Sequence, residues 1–284
     1  PDALHELLDD HFRKRGQPAF RVRQVVDWIF GALAPGFRAM TNLPAEERDA
    51  LGRRFLIGEG EVATLSRSLD GTVKHLWRLQ DGELVESVLI PTSDRLTLCI
   101  SSQAGCPLAC RFCATGYSGF TRNLSAGEIV EQVLRVRQQV PAGQRLSHVV
   151  FMGLGEPLAN YDAVVAAIRI INADWGPNIG ARRITVSTVG LPKQIRRLAR
   201  ENLQLNLAIS LHAPDPGLRR ALMPIEAKYA LDDVLDAAHE YRAPRGGRVT
   251  LEYVLLSGVN DTPGGACTGE CNLISGNGSE GVSI

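Results

Sequence analysis

His148-Val-Val-Phe-Met152-Gly-Leu-Gly155-Glu156-Pro157 is a short apolar run that stops at two glycines, and the segment after it, Tyr161 to Asn172, takes up a helical pattern. A run of this length reads as a buried strand, the glycines as a turn, and the sequel as a helix. The same unit recurs. Apolar runs also stand at Leu96 to Ile100, Ile184 to Ser187, Leu205 to Leu211, Val249 to Leu255 and Asn272 to Ile274. One intervening helix begins at Ser125, where Glu128 completes a capping box and Ile129, Val133, Val136 and Val140 fall along one face. Others cover Leu191 to Glu201, with Pro192 in the first turn, and Leu231 to Tyr241. Strand then helix, repeated about six times, predicts an α/β fold with a parallel sheet curved as an open or closed barrel. Reactive residues in such folds sit at the C-terminal ends of the strands.

The chain before this region has a different texture. Leu4, Leu7 and Leu8, then Val22, Val25, Val26, Ile29 and Phe30, recur at helical spacing, and Asn42-Leu43-Pro44 ahead of Glu46 and Glu47 marks another helix start. From Glu61 to Pro91 the period shifts toward two, with Asp70-Gly71 and Asp81-Gly82 as turns, which predicts a small antiparallel meander. The expected organisation is a helical unit at 1–60, a meander at 61–94 and a barrel at 95–284.

The 284 residues suffice for one large domain, or one large and one small. Basic and acidic side chains balance at 31 each, so nothing draws the whole molecule to a polyanion, and any such partner needs a local basic patch. Two exist: Arg13, Lys14, Arg15, Arg21 and Arg23 near the start, and Arg182, Arg183, Lys193, Arg196, Arg197 and Arg200 within one strand-helix unit. Either is equally a solvated helix face. No apolar run reaches the roughly 20 residues that span a bilayer. The opening Pro1-Asp2-Ala3-Leu4-His5-Glu6 has no leader pattern, so a cytoplasmic monomer without a membrane partner is expected.

Six cysteines are too few for a disulfide scaffold, but three of them form Cys106-Pro-Leu-Ala-Cys110-Arg-Phe-Cys113, just after the Leu96 run. Such spacing points to a metal. A closed zinc site needs a fourth donor, for which Cys99 is the near candidate. Three thiolates on one loop also suit an iron-sulfur cube that keeps one iron open to a substrate.

This motif at the head of a barrel resembles the radical S-adenosylmethionine (SAM) superfamily. Further stretches narrow the likeness: Gln103-Ala-Gly-Cys106, Gly119-Phe-Thr-Arg-Asn-Leu124, Met152-Gly-Leu-Gly-Glu-Pro157, Ile184-Thr-Val-Ser-Thr-Val-Gly190, Leu207-Ala-Ile-Ser-Leu-His-Ala-Pro214 and Val249-Thr-Leu-Glu-Tyr-Val-Leu-Leu256. Together they resemble the RlmN-type adenine C2 methyltransferases of 23S ribosomal RNA and transfer RNA, with which the C8-methylating relatives share most motifs. The resemblance implies a partial (βα)6 barrel, a 4Fe-4S cluster on Cys106, Cys110 and Cys113, and SAM held by Gly155, Glu156, Ser187, Ser210, Leu211, His212 and Asn277. It implies Glu86 as the base that deprotonates the methylated adenine and Cys99 as the cysteine that helps release the RNA adduct. Read without the resemblance, Glu86 is a strand-face carboxylate, Cys99 a small core residue and His212 a satisfied histidine at a strand end.

The implied chemistry is radical. Adenine C2 is electron-poor and does not attack a methyl sulfonium, so the implied route is a SAM-derived radical acting on a methyl group mounted on a second cysteine. The implied partners are 23S ribosomal RNA, transfer RNA and an external electron donor such as flavodoxin or ferredoxin. That second cysteine lies, in the family, well beyond the Asn272 run, whereas the chain reaches Ile284, and Thr262 to Cys271 departs from the family pattern. A truncated or divergent copy is therefore expected, with Cys267 and Cys271 as possible substitutes. The competing functions are SAM cleavage without methyl transfer and a metal-stabilised RNA-binding remnant.

Overall fold

The computed structural model describes residues 2–58, 60–141, 143–243, 249–256, 259–260 and 282–283. They fall into two compact units: Pro1–Ile100 with Leu124–Val149 and Asp162–Gly180, and Ser101–Asn123 with Val150–Tyr161 and Ala181–Ile284.

In the first unit, α1 (Asp2–Lys14), α2 (Phe20–Val26) and α3 (Ala45–Arg54) bury Leu8, Phe12, Val25, Val26, Met40 and Leu51. Arg15 at the close of α1 reaches Glu47 on α3 through Nε and Nη2, at 2.9–3.1 Å, so a charge pair closes the helical cluster. The meander follows as β1 (Glu61–Arg67), β2 (Val73–Arg78) and β3 (Leu84–Pro91), antiparallel throughout, as the turn glycines require. β3 then pairs antiparallel with β4 (Leu96–Cys99), joining the meander to the first predicted barrel run in one sheet. α5 (Ala126–Arg137) carries the capping box at its head and buries Ile129, Val133 and Val136 completely. β7 (Leu146–Phe151) neighbours β4, and α6 (Tyr161–Asn172) follows it with the predicted bounds.

The second unit holds a hairpin of β5 (Gln103–Gly105) and β6 (Phe120–Asn123), with the short α4 (Ala114–Tyr117) between them. Its parallel strands are β8 (Ile184–Thr188), β9 (Asn206–Ser210) and β10 (Val249–Glu252), paired as Val186↔Leu207 and Leu207↔Val249. The connecting helices are α7 (Pro192–Leu198), then α8 (Pro216–Leu222) and α9 (Leu231–Arg242). Val186, Leu207 and Ile209 are fully buried, as apolar runs in a parallel sheet covered by helices must be. Five of the six predicted runs are strands; the sixth, Asn272 to Ile274, lies outside the described residues.

Among the described residues no helix is long and apolar enough to cross a membrane. The capping box gives a direct test of local stability. Ser125→Ala removes the acceptor for the Glu128 amide (3.2 Å) and is expected to cost about 1 kcal/mol in urea unfolding, with faster amide exchange in the first turn of α5. Unchanged exchange there would show that the cap does not hold the helix start.

Candidate functional site

The cysteine loop is the link between β5 and β6, and backbone bonds close it at both ends. The Cys106 amide donates to the Gly119 carbonyl at 2.7 Å, and the Arg111 amide to the Leu222 carbonyl on α8 at 2.9 Å. Gly105 takes φ +76°, and a Cβ there would strike the Gly119 carbonyl, so the hairpin needs a glycine where it meets the loop. Ala109, between the first two cysteines, also sits in the left-handed region, at φ 51°. Cys110 is buried against Ala213, Leu222 and Met223, with Leu108, Phe112 and Cys113 packed around it.

These thiols feel one another. Burial pushes Cys110 up to about 12, with the Cys106 and Cys113 thiolates and the Glu156 carboxylate adding to the effect. Cys106 is raised as well, by burial first. Two thiols that resist ionisation, Cys106 and Cys110, on a single loop suit a cationic partner that ionises them together.

The Gly-Leu-Gly-Glu turn docks on the residues leading into this loop. The Leu154 amide donates to Ser101 Oγ (2.9 Å), and the Leu154 carbonyl accepts from the amides of Ser102 and Gln103. Gln103 Oε1 accepts from the Glu156 amide (2.8 Å), while its Nε2 donates to Asn123 on β6 (2.7 Å). Gly155 has φ +98°, and a Cβ there would lie 2.5 Å from that of Gln103, so position 155 cannot carry a side chain. Glu156 is 3% exposed and accepts from the amides of Leu158 and Val189 at 3.0 Å each. Burial still outweighs these bonds and pushes the carboxyl up to about 7.

The ends of the parallel strands converge on one carboxylate. Glu252 Oε2 accepts from Ser187 Oγ at 2.8 Å and from Ser210 Oγ at 3.5 Å, so the last residue of β10 joins the last residue of β9 and the last but one of β8. The Glu252 carbonyl also takes the amides of Leu211 and His212. His212 is left-handed at φ 55°, a strained conformation for histidine. Its Nδ1 accepts from the Val254 amide (3.0 Å), which assigns the ring proton to Nε2, and its ring meets Phe112 edge to face at 4.5 Å. Burial first, then Arg219, lowers its pKa to about 4. Asn260 Nδ2 donates to the His212 and Val254 carbonyls and fastens this turn.

The structure therefore gathers Cys106, Cys110, Cys113, Gly155, Glu156, Ser187, Ser210, Leu211 and His212 in one unit. Glu86 and Cys99 lie in the other. Val88 pairs with Cys99 across β3 and β4, and Glu86 is two residues before Val88, so both share one sheet face. Lys74 Nζ holds Glu86 at 3.1 Å. Asn277, Cys267 and Cys271 lie outside the described residues.

Several contributors escaped the sequence reading. Gln103 and Glu252 were visible only as parts of motifs. The basic clusters, by contrast, are partly engaged: Arg196 reaches Glu240 (2.8 Å) and Asp233 (3.2 Å), Arg182 reaches Gln204 (2.8 Å), and Arg13 and Lys14 reach Asp10.

Comparison with known proteins extends this picture. Residues 100–263 match the radical SAM superfamily, and residues 2–57 match the ribosomal RNA large subunit methyltransferase N-terminal domain. The chain is 48% identical to a probable dual-specificity RNA methyltransferase RlmN of Rhodopirellula baltica, covering 90% of this chain and 69% of that one. It is 45% identical to the protein so named in Thermotoga neapolitana, covering 92% and 76%. A crystal structure of a radical SAM methyltransferase from Sphaerobacter thermophilus superposes with a TM-score of 0.88 at 43% identity, covering 91% of this chain and 76% of that one.

The buried acid of the glycine turn carries a pH signature. With its carboxyl at about 7 in the folded state against 4.5 unfolded, the folded state holds the proton more tightly. Its contribution to stability is present below about pH 4.5 and is lost as pH rises toward 7. Relative to Glu156→Gln, the iron-free protein should lose up to about 1.4 kcal/mol of unfolding free energy per pH unit across that window. A difference independent of pH would rule out the buried, protonated acid.

Proposed function

This chain belongs to the RlmN-type branch of the radical SAM superfamily and is a radical SAM RNA methyltransferase; from that premise we propose that it methylates C2 of adenine in 23S ribosomal RNA and transfer RNA. The observation that carries the reading is the three-thiol loop locked, through Gln103, against the Gly-Leu-Gly-Glu turn within one unit.

Cys106, Cys110 and Cys113 would hold a 4Fe-4S cluster. A closed zinc site needs a fourth donor beside these three, whereas a cluster whose thiolates attach to different irons needs only the three and keeps one iron open. When bound, the cluster supplies the electron that starts radical chemistry on SAM, a route open to an electron-poor carbon that displacement cannot reach. An external donor of flavodoxin or ferredoxin type would reduce it.

The chain's own residues bind and orient. Glu156 offers its carboxylate to the ammonium of SAM, which returns the acid to its ionised form, and Gly155 keeps the approach clear. Ser187, Ser210 and Glu252 present two hydroxyls and a carboxylate where polar ribose groups of SAM can exchange for the bonds already made there. Leu211 and the neutral, backbone-fixed His212 line the same strand ends, with Asn277 assigned to SAM on resemblance alone. On the other unit, Glu86 would take the proton from the methylated adenine and Cys99 would assist release of the RNA adduct; their shared sheet face suits paired roles.

Anaerobic reconstitution should load about four irons per chain. Incubation with methyl-labelled SAM and a 23S fragment or transfer RNA, followed by nuclease digestion and mass spectrometry, should yield 2-methyladenosine. Label at C8, or in no nucleoside, overturns the proposal. Cys110→Ala should lose the iron, and full iron content in that variant would refute the ligand set. Glu252→Gln should keep the iron and weaken SAM binding about tenfold, the loss of roughly one charge-assisted hydrogen bond. Unaltered affinity would remove Glu252 from the site.

A further inference from the structure

Arg219 on α8 is fully buried, with 0% of its surface exposed. Its Nε donates to the Leu211 carbonyl (3.3 Å), its Nη2 to the carbonyls of Val189 (2.7 Å) and Ser210 (3.4 Å), and its Nη1 to Glu226. Glu226 uses its second oxygen to accept the Leu231 amide, so the pair also pins the start of α9. One guanidinium thus gathers the chain just past β8 and the end of β9, the two strands that carry Ser187 and Ser210.

The same helix presses on the cysteine loop. Leu222 and Met223, one turn beyond Arg219, pack against Cys110, and the Leu222 carbonyl accepts the Arg111 amide. Arg219 is thereby a fully buried cation one helical turn from the residues that seat Cys110. Stability does not explain the arrangement, because a buried ion pair is often no better than apolar residues of the same volume.

We propose that Arg219 is a positioning residue, whose planar fork sets the strand ends that meet SAM while its buried charge stabilises the anionic, cluster-bearing loop. The charge half of the proposal rests on the cluster reading above; the tethering half does not. A nearby cation favours the reduced, more negative form of a cluster, so its removal makes reduction harder.

The test compares the wild type, Arg219→Lys, Glu226→Gln, and the double variant Arg219→Met with Glu226→Gln, which removes both buried charges and leaves no lone carboxylate. Amide exchange is read over residues 106–113 and 210–213 in iron-free protein, and midpoint potential in reconstituted protein, with thermal melting as the check on folding. The double variant should exchange at least about tenfold faster in both segments. Its midpoint should fall by about 59 mV from that of Glu226→Gln, from which it differs only by the loss of the Arg219 charge, a tenfold change in the one-electron equilibrium. Arg219→Lys, which keeps the charge and loses the fork, should restore the midpoint but not the protection.

Equal exchange in the wild type, Arg219→Lys and the double variant overturns the tethering role. A midpoint in the double variant equal to that of Glu226→Gln, or lowered equally in Arg219→Lys, overturns the role of the charge. If even the wild type takes up no iron, the cluster reading fails together with the charge role, and the exchange comparison alone still decides the tether.

Discussion

Crowding of groups that repel one another when ionised is the constraint on which the second unit is built. Cys106, Cys110 and the Glu156 carboxyl occupy neighbouring, largely buried positions; burial raises the cost of ionising each, and the neighbouring thiolates and Glu156 add to it at Cys110. Left alone, the Cys106 and Cys110 thiols stay protonated. The surrounding chain therefore supplies what polarity it can: two backbone amides on Glu156, and a buried guanidinium whose influence reaches Cys110. That residual imbalance is a useful property in a site meant to receive cations, because an iron cluster and an ammonium group each release the protons that burial retains.

The backbone bears a matching cost. Ala109 and His212 are left-handed without being glycine, and both lie beside the residues assigned to cluster or SAM. Each is overdetermined by neighbours: Ala109 by a loop closed at Gly119 and Leu222, His212 by the Glu252, Val254 and Asn260 bonds. Strain held in this way keeps the loop and the strand ends in one conformation before any ligand arrives, so binding need not supply the ordering energy.

Much of this was legible in the residues because it depends on local rules. The capping box at Ser125, Pro192 at the head of α7 and the turn glycines of the meander each act within a few positions, and the elements they announce formed there. The apolar runs were equally plain, since a buried parallel strand admits little else. Gln103, Glu252 and Arg219 were not legible as a set, because their importance lies in partners far along the chain: Gln103 in Glu156, Glu252 in Ser187, Arg219 in Val189. Arg219 was the hardest to foresee. An arginine on a short helix reads as solvent-facing, and only the packing of α8 makes it a buried cation.

The same distinction bears on RNA. Clustered arginines look like a ready phosphate surface, yet Arg196, Arg182, Arg13 and Lys14 already hold acidic or amide partners. Exposed ion pairs of this kind contribute little to stability, so exchanging a carboxylate for a phosphate costs little as well. The acidic partners hold these cations in fixed places, and a polyanion binding there would have to displace them. Affinity gained by such exchange should depend on how many phosphates arrive together, which favours a folded RNA over a short strand and leaves selection of the adenine to the site itself.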